Sequence, residues 1–106
     1  MSRQKGNLGE DRALSYLEDN GFRVIDRNFY SRFGEIDIIA TKDDVLHFIE
    51  VKSGEWDPIY QITPSKISKI IKTSQIYMSK KKLSFDWCLD AVIVTEDIEF
   101  IENITS

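Results

Sequence analysis

The sequence predicts a mixed α/β fold, one sheet with helices packed against it. Three observations carry that reading. Residues 6 to 20 set Leu8, Ala13, Leu14 and Leu17 at helical spacing and stop at Asn20-Gly21. Residues 34 to 53 read as two apolar strands joined by a tight turn. Thr63-Pro64 then opens a second helical pattern, and the apolar run Phe85 to Thr95 follows it. The order is helix, three strands, helix, two strands, an α-β-β-β-α-β-β chain that buries its apolar faces as a sheet flanked by helices. The 106 residues are expected to form a single domain, 1–106. At this size folding buries somewhat over about 60% of the unfolded chain's surface.

The first helix carries Glu10 in its first turn, where the helix dipole favours a carboxylate. Residues 22 to 32 form the first strand, with Phe22, Val24 and Ile25 as core candidates. Arg27, Arg32 and Tyr30 fit two roles there: phosphate contact and base stacking, or an ordinary strand face. The second and third strands are Glu35 to Ala40 and Val45 to Lys52, with Lys42-Asp43-Asp44 as the turn. His47 falls on the side of Ile49 and Val51, and a structural role is expected for it. Ser53 to Ile62 is a loop, in which Trp56 and Tyr60 either pack over the core or stack on nucleic acid. In the second helix Ile67, Ile70, Ile71, Ser74, Tyr77 and Met78 make the inward stripe. Lys66, Lys69 and Lys72 point outward, as a solvated face or as phosphate contacts. Asp90 is the polar exception in the fourth strand, outside the catalytic set, and Ile98 to Ile104 is a last edge strand blunted by its acids.

Bulk properties bound the partners. Net charge is −4, which counts against tight non-specific DNA binding. The charge is unevenly spread, however. Between Asp57 and Asp86 lie six lysines and no acid, so one face can be positive on an acidic molecule. No apolar run approaches the roughly 18 residues of a membrane span, and Met1 to Asn7 leads into no apolar leader segment. The single cysteine, Cys88, is expected to be a small apolar filler. As a lone cysteine it is expected to give no disulfide and no zinc site and suits a reducing compartment, so a cytoplasmic location is expected.

The chemistry concentrates in the central hairpin. Side chains alternate along a strand, so Glu50 and Lys52 share a side, and Asp37 can lie opposite them on the neighbouring strand. Two carboxylates at one edge repel each other, and a hard divalent cation relieves the repulsion. Mg²⁺ suits such a site, taking one or two carboxylates together with substrate phosphate. A neighbouring lysine can orient a water and balance phosphate charge. This is the equipment of metal-assisted phosphodiester hydrolysis. Glu-x-Lys alone is a common solvated strand face; an acid in one apolar strand followed by Glu-x-Lys in the next is the stronger signal.

Asp37 with Glu50-Val51-Lys52 resembles the PD-(D/E)xK nuclease signature. The fuller wording, Gly9-Glu10, Gly34 to Ala40 and Phe48 to Ser53, resembles the YraN-like family of small bacterial proteins. The specific motifs lie in the first half of the chain; across the second half the likeness is one of architecture. The resemblance implies a restriction-endonuclease-like fold, shared with archaeal Holliday-junction resolvases. It further implies a DNA nuclease of recombination or repair, with Mg²⁺ or Mn²⁺ held by Asp37, Glu50 and the Val51 carbonyl. Lys52 would position the attacking water, and Glu10 would assist from the first helix. A homodimer is implied by the resolvases, which act on symmetric branched DNA. A basic residue is expected soon after the motif lysine, but Ser53, Gly54 and Glu55 stand there. Two other readings stay open: a non-catalytic nucleic-acid-binding accessory protein, and a protein-interaction module.

Overall fold

The computed structural model describes residues 2–54, 61–82 and 86–105 of the chain. In order these form α1 (Ser2–Asp19), β1 (Arg23–Ser31), β2 (Gly34–Lys42), β3 (Val45–Ser53), α2 (Pro64–Lys81), β4 (Asp86–Val94) and β5 (Ile98–Ile101). The expected α-β-β-β-α-β-β order is therefore the observed one. The five strands make one sheet in the order β1-β2-β3-β4-β5. Its pairs are antiparallel except β3 with β4, which run parallel. A parallel pair needs a long crossover, and the segment containing α2 provides it.

Local chemistry sets the connections. Asp43 and Asp44 both have positive φ, 52° and 63°, and they join β2 to β3 across the Lys42–Val45 pair. Such a turn matches the twist of a hairpin, and Asp tolerates it because its short side chain bonds locally. Thr63 caps α2: its Oγ1 accepts the Lys66 N–H at 3.3 Å, and Pro64 takes the first helical position.

The sheet has an apolar cluster on each face. On the α1 side Ala13, Leu17 and Phe22 pack with Ile38, Ala40, Ile49, Val92 and Val94. On the α2 side Ile70 and Tyr77 pack with Ile36, Ile39, Leu46, Phe48 and Leu89. Strands β3 and β4 are thus covered on both faces, as their near-continuous apolar sequences require.

Several expectations change. Helix α1 starts at Ser2, so Glu10 lies beyond its second turn and the dipole no longer accounts for a carboxylate there. Leu8 is 65% exposed, outside the core that Ala13 and Leu17 join. Ile25, expected inside, is 41% exposed because the β1–β2 register shifts between Val24 and Asp26 and leaves it on the outer side. Strand β5 ends at Ile101, three residues early. Trp56, Tyr60 and Phe85 lie outside the described residues. Among the described residues no helix is long and apolar enough to cross a membrane.

One contact positions α1. A Cβ on Gly9 would stand 3.1 Å from Ser53 Oγ and 3.3 Å from Ser53 Cβ. The helix therefore rests directly on the end of β3, which carries the next residue, Glu10, to the same end of the sheet. Gly9→Val is expected to lower stability by about 1–3 kcal/mol through overpacking. Gly9→Ala is expected to be nearly neutral, because its helix propensity gain of up to about 1 kcal/mol offsets a small shift of Ser53. Urea midpoints of the two variants check this, and an unaffected valine variant would mean that the helix does not bear on β3.

Candidate functional site

The site begins where a ladder ends. The β2–β3 pairing runs from Lys42–Val45 to Ile38–Ile49 and stops. One residue further on, Asp37 Oδ2 accepts the Val51 N–H at 2.8 Å. A side-chain carboxylate thus takes the place of a main-chain carbonyl, so the Val51 donor stays satisfied while the strands part. Alternation breaks at the same place, since Ile36 packs on the α2 side and Ile38 on the α1 side. In β1, the residue between the Arg27–Ile38 and Phe29–Ile36 pairs is Asn28, with φ of 53°. Asparagine is among the few side chains that accept this conformation readily.

Carboxylates from three elements surround that opening. Ligand oxygens of Glu10, Glu35 and Asp37 all lie within 4.8 Å of one another. With its NH₂ turned to them, the Asn28 amide donates to Glu35 Oε1 at 2.9 Å and to Glu10 Oε1 at 3.0 Å. Glu50 follows on β3, 7% exposed, and its Oε1 is buried without a hydrogen-bond partner. An ionised oxygen left so is costly unless a cation or a proton reaches it.

The electrostatics follow. Burial pushes the Asp37 carboxyl up to about 7; the Val51 N–H and Lys52 oppose the rise, and Glu10 and Glu35 add to it. Burial likewise pushes Glu50 up to about 8, with the charge of Asp37 adding to it and Lys52 and the Asp37 N–H opposing. Glu10 is raised as well, first by burial, while Arg27 pulls it down. Asp37 and Glu50 therefore feel each other's charge, and Lys52 is the ammonium that acts on both. The arrangement suits a hard divalent cation: every donor is oxygen, one is a buried orphan, and the charges repel until something positive enters. Asp37, Glu50 and the neighbouring Glu10 and Glu35 are the residues able to hold one.

Other residues singled out in the sequence are spread more widely. Arg27 does not point freely to solvent: it pairs with Asp11 at 3.2 Å, and its Nε is buried without a partner. The Arg32 guanidinium lies over the Phe33 ring at 4.8 Å, and Lys72 Nζ stands 5.1 Å from the same ring. Lys69 is close by, its Cβ 4.0 Å from where a Cβ on Gly34 would be. Arg32, Lys66, Lys69 and Lys72 are all exposed. His47 is buried and bonded to Asp90, away from the carboxylates. Glu35 and Asn28 were not singled out from the sequence. Glu35 carried a signal, two residues before Asp37 on one strand; Asn28 carried none, because its place depends on the β1–β2 register.

Residues 9–94, a span that contains every one of these carboxylates, match the family described as "Uncharacterised protein family UPF0102". A UPF0102 protein of Wolinella succinogenes is 55% identical across 99% of both chains. The chain belongs to the UPF0102 family. Other UPF0102 proteins agree: one from Helicobacter pylori is 56% identical over 97% of this chain and 92% of its own. One from Sulfurimonas denitrificans is 55% identical over 99% of both. All three relatives are bacterial, and the YraN-like wording of the first half is thereby accounted for.

The raised carboxyl groups make the UPF0102 chain's stability depend on pH. Asp37 and Glu50 are raised in the fold, so between about pH 4 and pH 8 the folded chain holds protons that the unfolded chain has lost. Their contribution is present below the unfolded values and is lost as pH rises through the folded ones. Metal-free protein is therefore expected to lose stability steadily across that window, and Glu50→Gln to flatten the decline. Thermal melts from pH 4 to 9 check this; a rise in stability through the window in the wild type would contradict it.

Proposed function

We propose that this UPF0102 chain is a divalent-metal-dependent nuclease that hydrolyses DNA phosphodiester bonds. The observation that carries the reading is the convergence of Glu10, Glu35 and Asp37, beside buried Glu50 with its unpartnered Oε1 and with Lys52 acting on both. The resemblance to PD-(D/E)xK nucleases agrees with it. Asp37, Glu50 and the Val51 carbonyl would hold Mg²⁺ or Mn²⁺, with Glu10 and Glu35 contributing from beside Asp37. Once bound, the ion supplies the Lewis acid for attack on the phosphodiester.

The chain's own groups do the rest. Lys52 Nζ orients the attacking water and balances the charge that builds on the phosphoryl oxygens. Asn28 holds the Glu10 and Glu35 carboxylates at fixed spacing beside the opening. Glu10 accepts the proton of the attacking water, and the oxygen released as the opposite P–O bond breaks takes a proton from solvent. The exposed Arg32 and Lys72 at the Phe33 ring, with Lys69 beside Gly34 and Lys66 at the start of the same helix, give the DNA backbone a cationic approach. A branched substrate of recombination or repair is the class that the resolvase resemblance favours.

A second reading keeps DNA binding without cleavage. The net charge of −4 and the non-basic Ser53-Gly54 after Lys52 favour it. Incubating the protein with Mg²⁺ or Mn²⁺ and labelled junction, flap, single-stranded and duplex DNA separates the two. Cleavage is expected, falling about 10²–10³-fold in Lys52→Ala and below detection in Asp37→Asn. Binding without cleavage, unchanged by Lys52→Ala, would overturn the enzyme and leave the accessory role.

A further inference from the structure

The opposite end of β3 carries a second polar cluster with different chemistry. His47 on β3 and Cys88 on β4 are register partners, and Asp90 follows two residues after Cys88. His47 Nδ1 lies 2.5 Å from Asp90 Oδ2 and 3.0 Å from Cys88 Sγ. Cys88 Sγ lies 3.4 and 3.5 Å from the two Asp90 oxygens. An imidazole nitrogen, a sulfur and a carboxylate thus converge within 4.8 Å. Asp90 is fully buried, whereas Cys88 is partly exposed to a cavity of about 520 Å³ that Tyr16, Phe22, Lys42 and Glu102 also line.

This is not a cysteine nucleophile. A relay needs the thiol and the carboxylate on opposite imidazole nitrogens, yet here both approach Nδ1. Burial first, then Asp90 and Glu102, push the Cys88 thiol up to about 12, which leaves it protonated and inert at neutral pH.

We propose that His47, Cys88 and Asp90 form a binding site for a borderline-soft transition metal ion of the Zn²⁺ class, with a further position open to the cavity. The donor set decides the class, since nitrogen and sulfur select Zn²⁺ or Co²⁺ over Mg²⁺. The spacing agrees. Ligand atoms at the corners of a tetrahedral zinc site stand about 3.4 Å apart. The Cys88–Asp90 separations match that figure and Cys88–His47 is close to it. The His47–Asp90 pair opens by under about 1 Å to let the ion in.

Charge agrees too. Asp43, Asp90 and Glu102 face this region with Lys42 and His47 as the nearby basic groups. The Lys42 ammonium is already engaged with the Asn20 carbonyl at 2.8 Å and the Phe22 ring. The supporting contacts are in place: Asp90 Oδ1 accepts the Asn103 N–H at 2.8 Å, and the Phe22 ring meets His47 edge-on at 4.9 Å. On binding, the Cys88 thiol releases its proton to solvent, and His47 coordinates as the neutral imidazole through Nδ1 with its ring proton on Nε2. The ion then ties β3 to β4 and to the segment after β5. This site stands apart from the carboxylate cluster and does not depend on nuclease activity.

Cobalt is the direct probe, because the chain has one cysteine and any thiolate–Co²⁺ band must come from Cys88. Co²⁺ is added to metal-free protein in excess Mg²⁺ and absorbance is followed. A thiolate-to-cobalt charge-transfer band is expected, saturating at one Co²⁺ per chain and bleached by Zn²⁺. Cys88→Ser abolishes it and Asp37→Asn leaves it in place. Zn²⁺ also raises the melting temperature of the wild type, a readout that survives if Cys88→Ser fails to fold. Absence of the band at Co²⁺ saturation of folded wild type would overturn the proposal, as would its loss in an Asp37→Asn protein that circular dichroism shows to be folded.

Discussion

The hydrogen bond from the Val51 N–H to Asp37 Oδ2 is the constraint on which the active end of the sheet depends. A strand pair cannot part without leaving main-chain groups unpaired, and a buried unpaired donor is destabilising. Asp37 resolves this by lending its own carboxylate as the acceptor. The parting of β2 from β3 then becomes an opening rather than a defect, and the same carboxylate faces into it. Asn28 in its left-handed conformation, the Ile36–Ile38 switch between faces and the close seat of Gly9 on Ser53 all serve that opening. Removing the Asp37 carboxylate would therefore disturb the local backbone as well as a ligand.

The electrostatic consequence is a trade between stability and function. Burying Asp37 and Glu50 together raises both carboxyl groups, so the pair is held at the expense of the fold near neutral pH. Lys52 offsets part of the repulsion. Strain of this kind has a use when a cation binds, since repulsion that opposes folding then favours binding. The two ends of β3 divide the chemistry: oxygen donors at Glu50, nitrogen and sulfur donors at His47 and Cys88.

Much of this was legible in the sequence because it rests on local signals. Apolar periodicity fixed the order of elements, Thr63-Pro64 marked the start of α2, and Asp37 with Glu50 and Lys52 stood out as charges inside apolar strands. What escaped depends on register and on distant contacts. Glu10 is expected at the site through the resemblance alone, because the apolar stripe starts the helix four residues too late and gives this carboxylate a dipole role. Ile25 looked buried because a β-bulge cannot be read from alternation. Asn28 and Glu35 join the site only through the β1–β2 pairing. The sequence alone makes Cys88 an apolar filler, because its polar partner His47 lies 41 residues away along the chain.

The most direct test of the central claim is Mn²⁺ binding followed by electron paramagnetic resonance in the wild type and in Glu50→Gln. The buried orphan oxygen predicts one strongly held Mn²⁺ per wild-type chain, with affinity falling at least about tenfold in the variant. Equal Mn²⁺ affinity in the two proteins, or none in either, would contradict the claim that these carboxylates are gathered for a divalent ion.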